Sequence, residues 1–167
     1  LRGGPALQGD VESRADVLVY TSAVLEKGIT IAGPLKLRVA VASSAPDTDL
    51  VARLVDVFPD GRAYGIQEGA LRLRYRDGFA APRLLVPGER YEVEVDMRSI
   101  AYAFAPGHRL RLHVTSSSFP RLERNLNTGA ANNAGETRSE VAENRVFHGG
   151  GVSFLELPVL PESAAPL

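Results

Sequence analysis

The chain has no cysteine, no tryptophan and a single methionine, and only 7% of its residues are aromatic. Without cysteine there is no disulfide framework, no thiolate metal site and no cysteine nucleophile. A carbohydrate platform would have to use the five tyrosines and six phenylalanines, most of which fall in apolar strand positions. An excess of either charge is also missing: 19 basic against 20 acidic groups leave a net charge of −1. No overall field therefore favours nucleic acid or an anionic membrane as partner. No apolar run approaches the ~20 residues of a membrane span. No secretory leader is recognisable, which favours a cytoplasmic setting. The sole methionine is Met97 while the sequence opens at Leu1, so a piece of a longer polypeptide is expected.

What is present is an ordinary globular composition, 44% hydrophobic and 23% charged over 167 residues, enough for one domain with its own core. Alternation with period two dominates. Leu35, Leu37, Val39 and Val41 share one phase, as do Leu71, Leu73 and Tyr75, and again Tyr91, Val93, Val95 and Met97. Such alternation marks half-buried antiparallel strands, since strands buried on both faces read as continuous apolar runs. Further strands are expected at 17–20, 29–31, 50–58, 110–115, 145–148 and 152–157. Turn chemistry separates them at Gly33-Pro34, Pro59-Asp60-Gly61, Asp77-Gly78, Pro87-Gly88 and Pro106-Gly107. The pattern predicts an all-β antiparallel β-sandwich of jelly-roll type. One or two helical turns are expected only at 136–144. Residues 1–10 read as a linker, 11–160 as the domain and 161–167 as a tail.

The stretch GHRLRLHVTSSSFPRLERNLNTG raises the possibility of a serine nucleophile with a histidine base. Its first half alternates, so it is a strand, and at roughly 3.3 Å per residue His113 and Ser117 would stand about 13 Å apart. A nucleophile–base hydrogen bond needs about 2.6–3.2 Å. No G-x-S-x-G elbow occurs anywhere in the chain. Ser116 and Ser117 are accordingly expected to bond local backbone at a strand end, and no catalytic residue is assigned.

Asp47 and Asp49, in SSAPDTD, offer clustered oxygens of the kind calcium takes, but a third acidic ligand is missing and capping of a tight connection fits better. His108, His113 and His148 are too scattered for a metal centre. Arg72, Arg74 and Arg76 form a basic stripe, expected either to be solvated or to meet another domain. The amides of Asn125, Asn127, Asn132 and Asn133 beside Arg121 and Arg124 suit hydroxyl recognition chemically, although no aromatic platform accompanies them.

Several co-linear strings, DVLVYTSAVL, VASSAPDTDLVARLVDVFPDG, EGALRLRYR, PGHRLRLHVTSSSFPRLERNLNTG and the early RGGP, resemble the C-terminal domain of one serine-hydrolase family. It contains cocaine esterase, X-prolyl dipeptidyl aminopeptidases, α-amino-acid ester hydrolases and glutaryl-cephalosporin acylases. The resemblance implies a jelly roll of the galactose-binding-like type that packs on an upstream α/β-hydrolase domain carrying the Ser-Asp-His triad. It implies no cofactor and no metal here. It implies structural roles for Asp47, Asp49, His108, Arg109, Ser116, Ser117, Arg124, Asn125 and Asn127. It also suggests that Val39 and Ala40, with the strand exit beyond them, line the hydrolase cleft. Expected partners are the catalytic domain of the same polypeptide and possible further copies of the parent, with neither nucleic acid nor membrane. The competing expectation is a stand-alone carbohydrate-binding-like module, because fold alone does not separate the two. Cut free from its partner, the domain is expected to show an exposed apolar surface.

Overall fold

Alternating apolar residues on long strands need a second sheet to cover them, and the chain supplies it. In the computed structural model, which describes residues 5–149 and 151–161, the elements in chain order are two sheets' worth of strands with one short helix. They are β1 (Ala6–Leu7), α1 (Gly9–Glu12), β2 (Leu18–Thr21), β3 (Ile29–Ser43), β4 (Asp49–Val57) and β5 (Ala63–Arg72). A 3-10 turn (Leu73–Tyr75) follows, then β6 (Arg90–Phe104), β7 (Arg109–Thr115), β8 (Asn144–Phe147) and β9 (Phe154–Glu156). One sheet runs β1-β5-β4-β7-β2, the other β6-β3-β8 with β9 also on β3, and the strand pairs are antiparallel. This is the antiparallel β-sandwich that the alternation predicts.

The core lies between the sheets. β3 contributes Ile31, Leu35, Leu37, Val39 and Val41, β6 contributes Val93, Val95, Met97 and Phe104, and β4 faces them with Leu50, Ala52 and Leu54. Each large aliphatic side chain buried there stabilises the fold by about 1.5–3 kcal/mol relative to exposure. At Gly69 of β5 the two sheets approach so closely that a Cβ there would stand 2.3 Å from the Asp96 carbonyl oxygen.

Three local expectations are corrected. Gly33-Pro34 is a bulge, not a turn: the register passes from Pro34↔Ser99 to Lys36↔Asp96, so Leu35 alone faces Met97 and Arg98. Arg98 takes φ 63° to make room, and the extra residue keeps Leu35 and Met97 both pointing inward. The segment 73–75 leaves the sheet as a 3-10 turn, because Leu73 N–H goes to Thr48 O and Arg74 N–H to Asp47 Oδ1. The segment 136–144 is not helical. Its backbone bonds distant partners, Glu140 N–H to Leu126 O and Glu143 O from Ser44 N–H.

Of the segment read as a linker, Ala6 and Leu7 pair with Gly65 and Tyr64, and Gln8 is buried. Residues 1–4 and, beyond Pro161, the expected tail lie outside the described residues. The pairing register puts β3 exit, β4 entry, β5 exit, β6 entry, β7 exit and β8 entry at one end of the sandwich. That end carries the long loops 73–89 and 116–143, while the other carries the tight turns 58–62 and 105–108.

Candidate functional site

The opening question, whether histidine and serine meet, is settled by β7. His113 projects from the outer face of the five-stranded sheet, where its Nε2 lies 2.9 Å from Glu12 Oε1 of α1. Ser117 Oγ accepts from the Phe119 N–H at 3.4 Å, and Ser118 Oγ donates to Glu68 at 2.9 Å. Ser116 lies on the other side, in a groove of about 230 Å³ beside Thr48, Asn144 and Val146. Among the described residues no hydrogen bond joins a serine to His113, and burial pushes the His113 imidazole below its usual range despite Glu12.

At the long-loop end six residues singled out from sequence converge. Asp47, fully buried, accepts from the Arg74 N–H at 3.0 Å, from Arg74 Nε at 2.8 Å and from Asn125 Nδ2 at 2.9 Å. The same Asn125 amide donates to Asp49 at 2.8 Å, and Asp49 also holds Arg72 through Nε at 2.9 Å. Asn125 Oδ1 takes the Asn127 N–H, and Asn127, at φ 61°, donates from Nδ2 to Glu140 O at 2.8 Å. Three loops are thereby tied to one pair of carboxylates. The basic stripe is therefore no freely solvated face: Arg72 pairs with Asp49 across the strands, and Arg74 is buried as the counter-ion of Asp47, because a buried carboxylate needs a paired, hydrogen-bonded partner. All four carboxylate oxygens of Asp47 and Asp49 already accept hydrogen bonds from protein donors. Among the described residues no three His, Asp or Glu side chains gather to share a metal.

The tight-turn end holds a second buried aspartate that sequence reading passed over. Asp56, 1% exposed, accepts from Tyr102 OH at 2.8 Å and pairs with His108 Nδ1 at 2.8 Å. Burial first, and then the Asp56 bond, push the Tyr102 phenol up to about 12. The signal was available, for Asp56 occupies the inward phase of Leu50, Ala52 and Leu54 on β4. Arg109, next to His108, donates to Ser22 O at 3.1 Å. An Asp–His pair invites comparison with a hydrolase dyad, but the hydroxyl here sits on the aspartate and not on the imidazole, and the arrangement cross-links β4 to β6 and to the 105–108 turn.

Val39 and Ala40 lie in mid-strand. Val39 belongs to the inter-sheet core at 2% exposure, and Ala40, at 0%, is flanked by Glu92 and Phe147 with its N–H bonded to Ser153 Oγ. Neither side chain is open to a ligand in the chain described here. Exposed apolar side chains gather on the loops of the long-loop end instead: Phe79 at 84%, Phe119 at 65% and Val141 at 98%, together with Leu84, Val86 and Leu122.

A third polar arrangement covers the outer face of the five-stranded sheet. Glu68, Arg53 and His113 stand side by side across β5, β4 and β7. Arg53 pairs with Glu68, whose other oxygen takes Arg121 at 3.0 Å and Ser118. Beside this row opens a cleft of about 320 Å³ that includes Arg14, Val17, Ser117, Phe119 and Arg124. The Arg124 guanidinium lies 5.4 Å over the Phe119 ring.

Comparison with known proteins places this architecture. Residues 5–154 match the family described as the X-Pro dipeptidyl-peptidase C-terminal non-catalytic domain. The chain is 44% identical over 160 residues to a cocaine esterase of Rhodococcus sp. (strain MB1 Bresler), covering 94% of this chain and 28% of that protein. An aminopeptidase from a marine sediment Thaumarchaeota archaeon superposes with a TM-score of 0.89 at 28% identity, over 94% of this chain and 28% of its own. An α-amino acid ester hydrolase does so at 0.88 and 28% identity, over 93% of this chain and 27% of its own. The chain thus spans little more than a quarter of the proteins it resembles. With its two antiparallel sheets and a match over nearly its whole length, the chain belongs to the X-Pro dipeptidyl-peptidase C-terminal non-catalytic domain family.

Proposed function

We propose that this chain is the accessory sandwich of an acyl hydrolase acting on esters, amides or X-prolyl peptides. The nucleophilic machinery would reside in an α/β-hydrolase domain of the same polypeptide, and the long-loop end docks onto it. The observation that carries this reading is the pairing of exposed apolar loop tips, Phe79, Val86, Phe119 and Val141 among them, with a buried Asp47 knot that fixes the loops presenting them. A docking face gains from being fixed before it binds, and the Asp47 knot does this for the loops that carry these tips. Val39 and Ala40 act on the cleft through the 44–48 connection they lead into, since their own side chains are covered. We read the topology as a jelly roll of the galactose-binding-like type. Successive connections cross between the sheets at β2–β3, β3–β4, β5–β6, β6–β7 and β7–β8, which supports it.

The test is hydrolysis of a short-chain p-nitrophenyl ester by this chain alone and by the intact polypeptide. Turnover only by the intact polypeptide, abolished by a serine-directed inhibitor, is the expected outcome. Turnover by the chain alone would overturn it. Titration with a panel of sugars tests the carbohydrate-binding alternative, and no heat is expected.

A further inference from the structure

The long strand β6 has two halves that treat their free edge differently. Among the described residues it pairs with β3 alone, so its other side presents N–H and C=O groups that could template a further strand. In an antiparallel ladder the backbone groups of successive residues point to opposite sides. On β3 the Ala40 N–H turns to Ser153 Oγ, away from β6. Leu37, Val39 and Val41 therefore bond Val95, Val93 and Tyr91, which leaves Glu92, Glu94 and Asp96 on the free edge of this half. Charge at such positions discourages another strand.

Beyond the bulge the edge changes character. The Ala32 N–H donates to Pro158 O at 3.0 Å, and Thr30 O accepts from the Leu160 N–H at 2.8 Å. Ile29, Ile31 and Gly33 thus serve Phe104, Tyr102 and Ile100, and the free edge consists of Ser99, Ala101 and Ala103. All three are exposed and uncharged. Ser99 O is taken by Gln67 Nε2 at 3.2 Å, but the N–H and C=O groups of Ala101 and Ala103 have no partner among the described residues. Beside this edge β1 forms a shelf. Leu7 pairs with Tyr64 and Tyr64 with Asp56, which accepts from Tyr102 OH. Leu7 therefore lies on the face turned toward β6, and it is still 62% exposed.

The edge is complementary to itself. Residues 99–105 read Ser-Ile-Ala-Tyr-Ala-Phe-Ala, nearly the same in both directions about Tyr102. Turned antiparallel on a copy of itself, the strand sets Ala101 against Ala103 and Ile100 against Phe104. Ala101 and Ala103 then exchange both N–H···O bonds on each side of a two-fold axis. No charged side chain enters the contact, because the Glu92–Asp96 half of each copy runs past the turn of the other.

We propose that the Ser99–Phe104 edge of β6 is the interface with a second copy of this chain, joined by antiparallel β6–β6 pairing. It lies in the half of β6 that leads to the tight-turn end, so docking of the long-loop end leaves it free.

The test is sedimentation velocity on the 167-residue chain over about 10 µM to about 1 mM, the regime of a small interface. A dimer is expected. The double variant Ala101→Lys/Ala103→Lys sets lysine against lysine across the axis and should be monomeric. Ala101→Glu/Ala103→Glu should be monomeric too, and an equimolar mixture of the two variants should restore the dimer. Both positions are exposed, so the unfolding midpoints at low concentration should hold. Phe79→Asp, at a loop tip, should leave the dimer intact. Amide exchange at Ala101 and Ala103 should slow with concentration, while Ile100 and Tyr102 stay unchanged. A monomer throughout, a dimer that persists in the charged variants, no dimer on mixing them, or a dimer lost in Phe79→Asp would each overturn the proposal. It does not rest on the accessory role, so the ester assay and this measurement can fail separately.

Discussion

The two ends of the sandwich are each pinned by one buried aspartate, and they are pinned by different chemistry. Asp47 at the long-loop end is neutralised by a guanidinium that is itself nearly buried, with Asn125 completing its shell. Asp56 at the tight-turn end is met by a phenol and an imidazole, and only the imidazole can carry a balancing charge. The connections explain the choice. Turns 58–62 and 105–108 are short, and Asp56 needs only one phenol from β6 and one imidazole from the second turn to join them to β4. The loops 73–89 and 116–143 are too long for that, so residues from three connections converge on the Asp47–Asp49 pair. Fixed charge holds the end we assign to docking; titratable groups hold the end that faces away.

The largest break in this contrast is expected from removing the aspartates one at a time. Asp47→Ala strands the buried Arg74 guanidinium and should cost about 3–5 kcal/mol. Asp56→Ala strands a hydroxyl and a ring nitrogen, about 1–3 kcal/mol for such groups. Urea unfolding of both variants checks the order, and equal losses would erase the distinction. Next in size is Asn125→Ala, which removes both amide bonds to the aspartates. A loss of about 1–2 kcal/mol is expected, with faster amide exchange confined to 116–143.

The titratable end should show itself at alkaline pH. Tyr102 is raised to about 12 from a reference of 10.0, so the unfolded chain gives up this proton first. Stability from this group is complete below pH 10 and is lost as pH rises through about 12. Tyr102→Phe should abolish that loss, and it should also lower stability near neutrality by about 1–2 kcal/mol, because the buried Asp56 loses a donor. The smallest effect belongs to His113 on the sheet face between the ends. Its folded pKa lies below 6.5, so its contribution is present above pH 6.5 and declines as pH falls through the folded value. His113→Gln should flatten this part of the acid limb, and an unchanged limb would assign it to carboxylates alone.

Legibility in the sequence followed the same division. Strand phase gave β3, β4, β6 and β7 because period-two alternation is a property of each strand by itself. Asp47 and Asp49 read as capping residues from their own chemistry, whereas a structural role for Asn125 and Asn127 was implied only by the family resemblance. Their meeting was not legible, because Asn125 is 76 residues from Asp49. Arg74 was misplaced for the same reason: local alternation puts it outward on a strand, and a distant aspartate pulls it inward. Gly33-Pro34 carried the strongest turn signal in its region yet lies within a strand, where a bulge opposite Arg98 serves the core better than a reversal would. Nothing local announced that Arg53, Glu68 and His113 would stand in one row, for that depends on register across three strands.

The central claim is that the pinned, loop-rich end meets the catalytic domain while the tight-turn end does not. Amide hydrogen exchange of this chain alone against the same residues within the intact polypeptide tests it most directly. The account predicts added protection in 73–89 and 116–143, with 58–62 and 105–108 unchanged. Protection gained at the tight turns, or at neither end, would contradict it.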